Sequence, residues 1–179
     1  MMVPTLTSVQ EFVAWEETQE KKYEFADGEI SLFPGGTMRH MTTALNVALA
    51  LREHGLRPGS VFNEARIVTA RSSRYPDVVV TFDERDTPEN TFARYPILLV
   101  EVISPSTESI DRGAKLDEYR SIETLQEYAL IDSRKRWAQT VRRSGDEWIV
   151  SLPIVAGDLE LRSVGAHIGF KELYAGTEL

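Results

Sequence analysis

The sequence predicts one α/β domain, residues 1–179, built on a mixed β-sheet. Three observations lead there. Helical and extended patterns alternate along the chain, in the order helix, hairpin, helix, strand, strand, strand, helix and then further strands, with no repeat, linker or low-complexity segment between them. The segment Ile97 to Ile103 is apolar at every position but one and β-branched-rich, with a proline near each end, which is the pattern of a strand buried on both faces. The chain has 179 residues, 42% of them hydrophobic and 27% charged: enough for one real core and too little for two.

In chain order, Thr7-Ser8-Val9-Gln10-Glu11 offers two overlapping capping boxes, Thr7 with Gln10 and Ser8 with Glu11, so a short helix should run through Phe12, Val13 and Trp15. Lys22 to Phe33 alternates around Asp27-Gly28, a strong hairpin signal, with Glu24 on the face opposite Tyr23 and expected toward solvent unless that face closes over a site. Pro34-Gly35-Gly36 interrupts the chain. Thr37 then caps a helix to about His54, stopped by Gly55 and apolar nearly all round, hence expected to be well buried. Ser60 to Thr69 and Tyr75 to Phe82 read as strands, and Asp83 to Arg94 as a loop. After the central strand, Ser106 or Thr107 should cap a helix to about Ile122. Glu127 to Ile131, Arg136 to Arg143 and Trp148 to Leu152 complete the strands, with Ser144-Gly145-Asp146 as a turn. Ile168, Phe170, Leu173 and Tyr174 suggest a short packed helix.

The absence of cysteine removes disulfides and thiolate metal sites. A net charge of −8 argues against a protein that coats nucleic acid non-specifically. No basic-then-apolar leader is visible and no run approaches membrane-spanning length, so a cytoplasmic location without membrane contact is expected.

Glu101 is the one ionisable residue of the central strand. A buried carboxylate costs several kcal/mol, on the order of the penalties for buried ions, unless an Arg or Lys, a proton or a metal ion compensates it. Asp77 opens the preceding predicted strand, and strands adjacent in sequence usually neighbour in space. Two carboxylates meeting there would repel unless a cation lay between them. Oxygen-only ligation suits Mg²⁺ or Mn²⁺, with the backbone carbonyl of Val102 as a third ligand. Asp111, Lys115 and Tyr119 fall at i, i+4 and i+8, one helix face, where a lysine would hold a metal-bound water deprotonated and stabilise charge on a phosphate. The plainer alternatives are Asp77 as a turn residue, Glu101 paired with Arg66 or Arg74, Lys115 as an exposed partner of Asp111, and Asp111 and Tyr119 as packing residues. Arg71 and Arg74 precede Asp77 and could meet a phosphate. The basic stretch Arg134 to Arg143 reads as a solvated outer strand rather than a DNA-binding ribbon.

The segments Pro76-Asp77, E-V-I-S-P-S-T from Glu101 and D-R-G-A-K-L-D-E-Y from Asp111, with Y-E-F-A-D-G-E-I, P-G-G-T-M-R-H and L-Q-E-Y-A-L-I-D, together resemble the PD-(D/E)XK nuclease superfamily. More narrowly they resemble the Uma-type "putative restriction endonuclease" family, over most of the chain. The resemblance implies a restriction-endonuclease-like mixed sheet flanked by helices, with an N-terminal helix and hairpin. It implies metal-dependent hydrolysis of DNA phosphodiesters, with Asp77 and Glu101 as ligands and a homodimeric assembly. The superfamily's E-x-K pattern would need lysine at Ile103; in this group the lysine is carried by the following helix, which points to Lys115. It also places Glu24 and His40 at the edge of the site. Two other functions compete: a catalytically inactive nuclease-fold module binding nucleic acid or a protein, favoured by the isoleucine at 103 and the acidic charge, and a phosphodiesterase for RNA or small substrates.

Overall fold

The computed structural model describes residues 4–33, 35–56, 60–87, 89–105 and 107–179; Pro34 and the alternative cap Ser106 lie outside them. Helix α1 (Val9–Glu16) starts at the Ser8–Glu11 capping box, and strands β1 (Tyr23–Ala26) and β2 (Glu29–Leu32) form the hairpin, its turn made by Asp27 at φ 48° and Gly28 at φ 90°. Helix α2 (Met38–Glu53) begins where the Thr37 hydroxyl accepts from the His40 amide. It is followed by β3 (Val61–Asn63), β4 (Arg66–Val68), β5 (Ser72–Arg74), β6 (Val78–Val80), β7 (Phe92–Ala93) and the central β8 (Leu98–Ile103). Helices α3 (Glu108–Arg112) and α4 (Ala114–Arg120) come next, then β9 (Glu127–Asp132), β10 (Ala138–Ser144), β11 (Glu147–Val150), β12 (Asp158–Leu161), β13 (Ala166–Gly169) and α5 (Phe170–Leu173).

The main sheet has the order β11-β10-β9-β8-β6-β3, with β8 and β9 parallel and the other neighbours antiparallel. A second sheet, β2-β1-β5-β4-β7, stands beside it, and β12 and β13 form a separate hairpin. Period-two alternation sorts the main sheet's side chains. Val78, Val80, Leu98, Val100, Ala129 and Ile131 share one apolar core with α2, the β12–β13 hairpin and α5. Val79, Leu99, Ile103, Tyr128 and Leu130 share the other with Tyr119, Leu125 and Ile67.

Several expected boundaries shift, each for a local reason. The strand expected over 60–69 is two strands in different sheets, divided at Glu64, whose φ of 49° turns the chain. β5, not foreseen, precedes Pro76, which has no amide to continue a ladder; β6 is accordingly confined to Val78–Val80. The helix expected to about Ile122 breaks at Gly113 (φ −119°, ψ −93°), and Thr107 makes no side-chain cap to it. α2 is not buried all round: Met38, Met41, Leu45 and Leu49 are exposed along one stripe. β7 interrupts the 83–94 loop, and Ile168 lies in a strand ahead of α5.

Candidate active site

Register brings the first two carboxylates together. β6 and β8 pair with Val80 opposite Leu98, Val79 opposite Leu99 and Val78 opposite Val100. Continued by one residue, that register sets Asp77 across from Glu101, on the same sheet face as Val79 and Leu99. Directly opposed residues hold their Cβ atoms about 5 Å apart. The ladder ends here because Pro76 follows, and the Val102 amide donates instead to Asp77 Oδ2 at 2.6 Å.

α3 and α4 lie over this face. Despite the break at Gly113, Asp111, Lys115 and Tyr119 converge on one point. The Lys115 amine is 3.0 Å from Glu101 Oε1 and 3.0 Å from Asp111 Oδ1, and the Tyr119 hydroxyl donates to Glu101 Oε1 at 2.9 Å. The Tyr128 hydroxyl donates to the Asp111 carbonyl at 3.0 Å, tying α3 to the sheet. All four ionisable groups, Asp77, Glu101, Asp111 and Lys115, are at most 6% exposed. Burial pushes the Glu101 carboxyl well above its usual range; the charge of Lys115 opposes this, and Asp111, Asp77 and Glu24 add to it. Burial likewise raises Asp111. Burial would lower the Lys115 amine, but Glu101, Glu24 and Asp111 outweigh it and hold the amine protonated.

The opposite wall comes from the second sheet. The Arg74 guanidinium donates to both oxygens of Glu118, at 2.9 and 2.8 Å, and to Glu24 Oε2 at 3.1 Å; Glu24 Oε1 accepts from the Tyr75 amide. Glu24, expected toward solvent, is 6% exposed, because the second sheet folds that face of the hairpin over the cavity. His40 Nε2 is 3.5 Å from Asp77 Oδ2. Burial opposes protonation of His40, but Asp77 and a hydrogen bond to the Val102 backbone raise its pKa overall. Gly36 packs against this ring: a Cβ there would stand 2.6 Å from Nδ1.

Glu24, His40, Arg74, Asp77, Glu101, Val102, Asp111 and Lys115 thus line one cavity of about 210 Å³, and Tyr119 supports it from below. Arg71 does not line it; it is half-exposed beside Asp27 at the hairpin turn. Arg74 does, but its guanidinium is already engaged by two carboxylates. Neither Arg66 nor Arg74 pairs with Glu101, whose partner is Lys115; Arg66 pairs with Glu16. The basic stretch is neither a free ribbon nor simply solvated. Arg134 binds Asp132 and Glu108, Arg142 binds Glu127, and Arg143 donates to three backbone carbonyls. Glu118 was not anticipated, since nothing local marks a helical glutamate as buried against an arginine 44 residues away.

Among the described residues, no three His, Asp or Glu side chains form a ready ligand shell. The donor set is two opposed carboxylates with the Val102 backbone beside them. The cavity lining carries four carboxylates, Glu24, Asp77, Glu101 and Asp111, against two permanent cations, Arg74 and Lys115. That excess, with the raised carboxyls of Glu101 and Asp111, fits a divalent cation.

A mixed sheet with an acidic, lysine-bearing cavity at the end of two paired strands is the class of protein this fold and site define. Comparison with known proteins makes it specific. Residues 9–165 match the model of the Uma2 family, described as "Putative restriction endonuclease". The uncharacterized Synechocystis sp. protein slr1290 is 33% identical over 174 residues, covering 94% of this chain and 92% of its own length. A second from the same organism, sll1609, is 32% identical over 161 residues, covering 84% and 91%. A crystal structure from Anabaena variabilis, described as "a putative nuclease belonging to DUF820", superposes with a TM-score of 0.75 at 19% identity, over 95% of this chain and 98% of that one. The chain belongs to the Uma2 family and shares the fold of that structure. Among the described residues, no helix is long and apolar enough to cross a membrane.

Proposed function

We propose that this protein is a metal-dependent nuclease that hydrolyses DNA phosphodiester bonds in the acidic cavity. The family's description and the fold support a nuclease. The observation that carries the metal-dependent reading is the register that sets Asp77 opposite Glu101 beside the Lys115 amine.

Asp77, Glu101 and the Val102 carbonyl would hold Mg²⁺ or Mn²⁺; when bound, the ion supplies Lewis acidity to the phosphate and lowers the pKa of water. The chain's own groups do the rest. Lys115, held protonated, orients the attacking water and offsets negative charge accumulating on the phosphoryl oxygens. It takes the place of the E-x-K lysine, since Ile103 is buried in the core. Tyr119 fixes the Glu101 carboxylate through its hydroxyl, and Asp111 holds the amine in place. His40, beside Asp77, can take up the proton that the water releases. A homodimer belongs to the same reading, with the exposed stripe of α2 as its contact and the cytoplasm as the place where it meets DNA.

The test is cleavage of a supercoiled plasmid by the purified protein with Mg²⁺ or Mn²⁺. Nicks or breaks are expected, and their loss in Asp77→Ala and Glu101→Ala. No cleavage with either ion at high protein concentration would refute the reading.

A further inference from the structure

A second cleft, of about 500 Å³, opens on the other side of Tyr75, the residue that lines both it and the acidic cavity. Its character is opposite. Lys22, Arg52 and Arg66 line it, each with donor capacity to spare. The Lys22 amine lies over the rings of Tyr75 and Phe33, 5.0 and 5.7 Å from their centroids, and Phe33 lines the acidic cavity. Lys22 therefore stands at the junction of the two hollows. Its ion pair with Glu64 is at the surface, both side chains more than 40% exposed, and such pairs are weak enough for a phosphate to displace. The exposed Arg52 uses one nitrogen, donating to the Val61 carbonyl at 3.2 Å. Arg66 is 6% exposed; Glu16 binds its Nη2, and its buried Nη1 makes no hydrogen bond, with only a long ion pair of 3.8 Å to the exposed Glu17 carboxylate. An unsatisfied buried guanidinium nitrogen costs free energy that an oxygen-rich ligand recovers. Of the two carboxylates in the lining, Glu64 belongs to the Lys22 pair. Asp86 already accepts from the Arg94 and Tyr95 amides through both oxygens.

A polyanion cannot be held by the acidic cavity alone, and the two arginines of β10, Arg142 and Arg143, are engaged internally. We infer that the Lys22–Arg52–Arg66 cleft is a phosphate-binding extension of the cavity, taking a nucleotide unit of the strand whose neighbouring phosphodiester enters it. This rests on the nuclease reading for the meaning of the neighbouring cavity, but its own chemistry, recognition of a phosphate-bearing nucleotide, is separately measurable. The cations match the ligand's charge, and the half-buried Phe92 in the same lining offers a ring to a base.

The test is fluorescence anisotropy with a short labelled oligonucleotide, single-stranded and duplex, in EDTA so that no turnover occurs. The full chain is compared with Lys22→Gln/Arg52→Gln; both positions are exposed, so the double variant should fold, as thermal melting will confirm. Binding should weaken about tenfold or more, and the dependence of log affinity on log salt should become shallower by about two, one unit per lost phosphate contact. A mononucleotide that displaces the oligonucleotide from wild type should lose that ability against the variant. Affinity unchanged by the double substitution, or no oligonucleotide bound by wild type, overturns the inference. The two readings separate cleanly: absence of cleavage with cleft-dependent binding sinks only the nuclease, and cleavage with cleft-independent binding sinks only the cleft.

Discussion

Two buried ionic clusters sit on either side of the Arg74–Tyr75 dipeptide, and they differ in one respect. In the first, Arg66 binds Glu16 and donates to the Tyr75 hydroxyl at 3.0 Å, and that hydroxyl donates to Glu16 at 2.9 Å. One acid meets one base, with the phenol closing the ring, and burial followed by the pull of Glu16 outweighs the arginine to push Tyr75 up to about 12. In the second, four carboxylates face two permanent cations around an open cavity. The first cluster is balanced in charge at its core, with only the Arg66 Nη1 left without a hydrogen bond. The second holds more negative charge than its own cations offset, and burial first, with the neighbouring carboxylates adding to it, raises the carboxyls of Glu101 and Asp111. A balanced cluster holds the fold together, whereas an unbalanced one beside a cavity has a use for an outside cation.

Substitution should expose that difference most strongly. Arg66→Ala leaves Glu16 buried without its partner and should cost about 3–5 kcal/mol in chemical denaturation, the usual loss when one member of a buried pair is removed. Glu101→Gln removes a carboxylate that three others repel, while Asp111 still holds Lys115. In metal-free protein above pH 7 its stability should equal or exceed wild type. If both variants lose similar stability, the contrast between the clusters is wrong.

Metal and pH sharpen it next. Glu101, Asp111 and His40 have folded-state pKa values above 4.5, 3.8 and 6.5. Groups raised on folding contribute stability in full below those unfolded values and lose it as pH rises through the folded ones. Metal-free protein should therefore melt lower at pH 8 than at pH 5.5. Mn²⁺ at a hundred times its pH 8 Kd should restore about 2.7 kcal/mol at pH 8, and the same concentration should restore less at pH 5.5. A melting temperature that climbs steadily from pH 5.5 to 8 would contradict this.

Smaller effects follow from the supports. Tyr119→Phe removes the hydroxyl bond to Glu101 and should weaken Mn²⁺ binding about tenfold, within the range for groups that orient ligands, while costing roughly 2 kcal/mol of stability. Gly36→Ala pushes the His40 ring off its position beside Asp77. The pH profile of cleavage should shift on its acidic side, where His40 gains its proton, with less than about 1 kcal/mol lost in stability; an unmoved profile would remove His40 from the chemistry.

How much of this was readable from residues alone depends on distance along the chain. Ser8, Thr37 and Asp27-Gly28 act within a few residues, and their elements form as expected. The central strand was legible because its composition is extreme, and Asp77 beside Glu101 because adjacent strands tend to pair. Glu64 and Gly113 were not legible as breaks: each sits in a pattern that reads through it, and only tertiary packing decides that the chain turns there. Only the family resemblance set Glu24 at the edge of the site; from the residues alone its fate was hidden for a similar reason. Alternation correctly set it opposite Tyr23, but what covers that face is Arg74, fifty residues on. Arg74 itself was judged by its neighbours in sequence, which say nothing of Glu118.

The central claim is that Asp77 and Glu101 jointly hold a divalent cation, and isothermal titration of metal-free protein with Mn²⁺ tests it most directly. One ion per chain should bind to wild type, with binding abolished in Asp77→Ala and in Glu101→Ala although both remain folded. Full-strength binding to either variant, or none to wild type, would contradict it.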